Sequence, residues 1–143
     1  MAGFPSRPRL RDERLKAKTV EEFISSTFRT FMEFMAEDHV NIRAMRHSAD
    51  TTRVRVDTPE VIAGFEELRE DIEKAIAQGL LPPIDADYLM ASIVGVAFEV
   101  GGRMVVREHR DPAAAAAFAT ALFMGGIRML PHADHPAAKT GTA

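Results

Sequence analysis

The chain has 143 residues, 46% hydrophobic and 27% charged, which suits one globular domain with a core of its own. It has no cysteine, so disulfides, thiolate metal sites and cysteine nucleophiles are excluded. The net charge of −3 is uneven, with 11 Lys+Arg against 8 Asp+Glu over residues 1–55 and an acidic excess after them.

Residues 1–18 form a basic lead-in carrying Arg7, Arg9, Arg11, Arg14, Lys16 and Lys18. Such a run can approach nucleic acid, but a solvated terminus, disordered or extending a helix, is the plainer reading. The opening residues lack the apolar run of a signal peptide.

Thr19-Val20-Glu21-Glu22 fits a capping box, so a helix is expected from there. Val20, Phe23, Ile24, Thr27, Phe28, Phe31, Met32, Phe34 and Met35 follow at three-four spacing and predict a broad Phe/Met surface. Asp38 is placed to cap a shorter helix over about 39–47. Thr51 to Val56 alternates Arg with Val, but is too short and solitary for a sheet and reads as a loop. Thr58-Pro59 restarts a helix with a cap and a first-turn proline. Its buried stripe is Val61, Ile62, Phe65, Leu68, Ile72, Ala75 and Ile76, opposite a wet face of Glu66, Glu67, Arg69, Glu70, Glu73 and Lys74. Gly79 is placed to end it as a C′ glycine.

Asp85 or Asp87 starts a helix running to about Arg107. Over Tyr88 to Phe98 it has no polar face, and a helix apolar all round must be covered on every side. A chain this short covers one side with its own core, which points to a second subunit for the other. The run itself is well short of the roughly 20 residues that span a bilayer. Asp111-Pro112 opens the last helix, which stops before Pro131. There Ala113, Ala117, Ala121 and Gly125 recur every four residues as a ridge with almost no side chain, flanked by Phe118, Leu122 and Met129. Residues 131–143 read as a disordered tail.

The punctuation of Thr58 to Leu130 resembles the C-terminal half of the TetR family of bacterial transcriptional regulators. The residues that carry the resemblance are Phe65-Glu66-Glu67-Leu68-Arg69, Ile76-Ala77-Gln78-Gly79-Leu80-Leu81-Pro82-Pro83, Asp85-Ala86-Asp87, Asp111-Pro112, and Phe118 to Leu130 with Gly125-Gly126. Thr19 to Glu37 is patterned like the first helix of that ligand-binding domain, so the resemblance covers about residues 19–130. It implies an all-α, five-helix domain whose last two helices pair with their mates in a four-helix-bundle homodimer. It also implies a small apolar inducer in the core of each subunit. The family's helix-turn-helix domain precedes this region, but the 18 residues before Thr19 contain no such pair of helices. The chain as it stands is therefore not expected to read operator DNA.

On this reading Phe28, Phe31, Met35, Met45, Phe65, Ile72, Met90, Ile93 and Phe98 are candidate ligand contacts, although each also serves as ordinary core. Glu99 is the sharper candidate, because it interrupts an apolar run and shares a face with Ser92. A buried carboxylate must be paired or protonated. It has two roles open to it: contact with a cationic or hydroxylated ligand, or an ion pair with Arg103 or the partner subunit. Ala113, Ala117, Phe118, Ala121, Leu122 and Gly125 are the candidate dimer interface.

His39 with His47, and His132 with His135, offer too few fixed ligands for a structural or catalytic zinc, so no metal is expected. No triad, phosphate loop or paired catalytic carboxylates is visible, so neither an enzyme nor a cofactor is expected. With one Tyr and no Trp, an aromatic platform for single strands is disfavoured. The expectation is a cytoplasmic regulatory domain of a TetR-like repressor with no membrane partner. The alternative is a freestanding helical adaptor that binds a protein and no ligand.

Overall fold

The computed structural model describes residues 11–12, 14–48 and 59–133. The expected loop at Thr51–Val56, the Thr58 cap and the tail from residue 134 onward lie outside them. The fold is all-α. Five helices are described: α1 Val20–Glu37, α2 His39–Ser48, α3 Pro59–Ala77, α4 Ala86–Val105 and α5 Pro112–Gly126, with a 3-10 turn at Ile127–Met129.

Side-chain caps start α1, α4 and α5. The Thr19 hydroxyl accepts from the Glu22 amide at 3.1 Å. The Glu22 carboxylate accepts from the Lys18 amide at 2.7 Å, one residue earlier than a standard capping box. Asp85 and Asp111 cap α4 and α5 by accepting from the amides of Tyr88 and Ala114, both at 2.9 Å. Asp38 differs from expectation, since its carboxylate accepts from the Asn41 side-chain amide at 2.8 Å. Helix α4 ends at Val105, two residues before the expected limit.

Helix α1 is the centre of the molecule. Phe23, Ile24, Phe28, Met32 and Met35 are fully buried on it, and Ser26, Thr27 and Thr30 are buried with a small residual exposure. Those hydroxyls donate back to the carbonyls of Phe23, Phe23 and Ser26, so their burial leaves no donor unpaired. Packing is most extensive against α5 and next against α4. Phe28 meets Phe123, while Met35 shares a small cluster with Met104, Val105 and Ala115, so α1 and α5 run antiparallel. Where α4 crosses α1, a Cβ on Gly101 would collide with the Met35 thioether, so a side chain there would have to displace that buried methionine.

Helix α3 comes close to only one other described helix, α4. It places Leu68, Ile72 and Ala75 in the core, while Ile62 of the expected stripe is half exposed. At its end the Gly79 amide donates to Ile76 and the Leu80 amide to Ala75, the bond pattern of a Schellman motif. Gly79 has φ 78°, the left-handed region. Gly79→Ala is therefore expected to lower stability by about 1 kcal/mol in urea unfolding. An unchanged midpoint would contradict that geometry. Beyond α5, His132 forms an isolated antiparallel bridge with Ile84, and the Ala133 amide donates to the Pro83 carbonyl. The start of the expected tail is thus tied to the α3–α4 turn.

Candidate functional site

Three sets of side chains stand out: an outward apolar face, an aromatic core and a buried charge cluster.

The face is built by α4 and α5. A six-residue turn joins them, so they lie as antiparallel neighbours, in contact. All six candidate interface residues, Ala113, Ala117, Phe118, Ala121, Leu122 and Gly125, are exposed on α5. Phe118 is 64% exposed, Leu122 55% and Met129 83%. The only well-buried residues of α5 are Ala116, Ala119 and Thr120. On α4 the outward row is Tyr88, Ala91, Ser92, Gly95, Glu99 and Arg103. Both helices reach the length and apolarity of a membrane span, at mean hydropathy 1.3 over Ala86–Val105 and Pro112–Met129. For α4 much of that apolarity is spent inside the fold, where 44% of the stretch is buried, against 22% for the last helix.

The aromatic core brings together several predicted ligand contacts. The Phe98 ring lies 5.2 Å from Phe31 and 6.4 Å from Phe65, both edge-to-face, so α1, α3 and α4 meet on one ring. Phe28, Met35, Ile72 and Ile93 are fully buried core, while Phe31, Phe65, Met90 and Phe98 are half-buried. The side chain of Met45 lies outside the described residues. Glu99 does not join this group. It is exposed on the outward side of α4, away from these rings, where of its two expected roles the ion pair with Arg103 or the partner subunit is the one within reach. The Tyr88–Phe98 run, expected to be covered on one side by the chain's own core and on the other by a second subunit, presents residues 88, 92 and 95 outward, and Glu99 continues that row.

The charge cluster was not anticipated. Asp71 is 2% exposed and Arg14 is 5% exposed, so Arg14 is not part of a solvated lead-in. Arg14 donates from Nε and Nη2 to Asp71 Oδ2 at 3.1 and 3.0 Å. Arg11 Nη2 lies 3.1 Å from Asp71 Oδ1, at an angle too poor for a hydrogen bond. Burial pulls the Arg14 guanidinium below its ordinary range, while the Asp71 charge and hydrogen bonds oppose that shift. One signal was visible: Asp71 falls on the apolar stripe of α3, between Leu68 and Ala75.

A polar groove of about 460 Å³ opens over the start of α1, lined by Lys16, Thr19, Glu21, Glu22, Ser25 and Arg29 among others. Its mixed charges select no ligand class, and none of the predicted contacts lies there. Among the described residues no group of three His, Asp or Glu is placed to hold a metal. The His39 Nδ1 is occupied by the Ala36 carbonyl at 3.0 Å. The chain matches no protein-family model, no curated protein and no solved structure.

Proposed function

We propose that the chain is the effector-binding and dimerisation domain of a TetR-like transcriptional repressor, cytoplasmic, pairing through α4 and α5 and sensing a small apolar ligand in its core. The observation that carries this reading is the outward face of α5. Phe118, Leu122 and Met129 stand exposed beside a ridge of Ala113, Ala117, Ala121 and Gly125, with no charged residue between Pro112 and Ile127. Small residues in i±4 rows let a second backbone approach, and larger neighbours fill the grooves beside them. A face that supplies both knobs and holes is self-complementary, which is what a twofold interface requires. A bilayer fits the same face less well, because Glu99 and Arg103 lie on the outward row of α4 and charges at membrane depth are costly.

The Phe31–Phe65–Phe98 contact supports the ligand half of the proposal. Three half-buried rings from three helices form a junction that an apolar guest can enter by moving α3, which comes close to α4 alone among the described helices. Ligand in that junction would bias the pose of the paired subunits, a coupling between two sites.

A thermal-shift screen with apolar and cationic compounds tests this half. A ligand that binds the native state at a hundred times its Kd adds about 2.7 kcal/mol. Reproducible stabilisation that is lost on Phe98→Ala is expected. Silence across the screen would favour the second reading, a helical adaptor whose α5 face takes another protein.

A further inference from the structure

We infer that Arg11, Arg14 and Asp71 form a charge latch: ion pairing, rather than apolar packing, holds residues 11–12 and 14–16 against α3, and this segment releases as a unit while the helices stay folded. The segment is one helical turn, closed by the Lys16 amide on the Asp12 carbonyl and the Ala17 amide on the Arg14 carbonyl. A turn this short has almost no stability of its own and needs an anchor. Leu15, its one large apolar side chain, is 57% exposed and supplies none. The contacts to α3 are ionic. Arg14 grips one Asp71 oxygen with two nitrogens, Arg11 sits at the other, and Arg11 also lies 3.9–4.0 Å from Glu70 and Glu67.

The cluster also has an uneven structure that suits a latch. The Asp71 carboxylate side chain is fully buried, while Arg11 keeps 29% of its side chain in water. Outer and inner arginines therefore share one buried anion. The Asp71 Oδ1 is left with an ionic contact but no well-angled hydrogen bond, so the anion is incompletely satisfied. A buried pair binds strongly only while both partners are present, and losing one leaves an uncompensated charge that water must reach. Removing the anion should make the segment leave, exposing Arg14 to solvent, more readily than it unfolds the core of α1, α4 and α5, whose residues make none of the cluster's ion pairs. Helix α3 is held by α4 and by this segment, so the latch also sets how freely α3 moves.

Hydrogen exchange read by mass spectrometry on the full chain tests the proposal, using Asp71→Asn and the charge-keeping Arg14→Lys. For Asp71→Asn the amides of Lys16 and Ala17, which the turn protects, are expected to exchange at least tenfold faster, α3 modestly faster, and α1, α4 and α5 unchanged. Arg14→Lys, which loses the two-nitrogen grip, should show the same pattern at smaller amplitude. Unchanged exchange at Lys16 and Ala17 in both variants would overturn the latch. So would uniform acceleration across all helices in Arg14→Lys, because the pair would then be a support of the whole fold. If Asp71→Asn does not fold, Arg14→Lys decides alone.

Discussion

Phe28→Ala is expected to cost about 3–5 kcal/mol. Phe28 is 0% exposed, sits at the middle of the central helix, and meets the Phe123 ring at 5.2 Å across the α1–α5 contact. Removing the ring deletes buried apolar area and leaves a hole. Neighbours such as Ile24 and Met32 are themselves fully buried and cannot close it without moving. The aromatic pair adds a directional contribution that alanine cannot replace. In a domain of this size the loss lowers Tm by roughly 10 to 20 °C. Urea unfolding at fixed protein concentration measures it, and the slope should stay constant while the midpoint falls. A loss below about 1 kcal/mol would mean that α1 and α5 are not packed as described.

Ala121→Glu is expected to weaken self-association at least a hundredfold, or about 3 kcal/mol, with the fold intact. Ala121 is exposed in the single chain and belongs to the small-residue ridge. A glutamate there costs the isolated subunit little, because its carboxylate stays in water. Across a twofold interface two carboxylates would be brought together with no cation between Pro112 and Ile127 to meet them. The side chains would also hold the backbones apart. Sedimentation at micromolar concentration should show a dimer for the unaltered chain and a monomer for the variant, with identical circular dichroism. Gln78→Glu, at an exposed turn after α3, is the control and should leave association unchanged. A monomeric unaltered chain would remove the interface from the proposal, and a dimeric Ala121→Glu would move it to another face.

Helix positions and most caps were legible in the sequence because they depend on neighbours three or four residues away. Thr19, Asp85 and Asp111 cap their helices through local amides, and Gly79 takes the left-handed conformation that a glycine after a periodic stretch announces. The Ala/Gly ridge was legible for the same reason, since a four-residue repeat places one row on one face. Which of its two roles Glu99 could take was not legible, because an apolar run carries no information about which side of a helix the fold covers. Asp71 and Arg14 lie 57 residues apart, and only their juxtaposition makes either one buried and paired.

The sequence by itself determined an all-α chain, the places where its helices begin and end, and the unusual apolarity of the last two, because these rest on short-range hydrogen bonding and side-chain periodicity. The tertiary structure decided the rest. It put α1 at the centre, turned the ridge of α5 and Glu99 outward, gathered Phe31, Phe65 and Phe98 on one junction, and drew Arg11 and Arg14 onto a buried aspartate. Those outcomes depend on which helix faces pack together, and burial belongs to that packing rather than to any residue's neighbours in the chain.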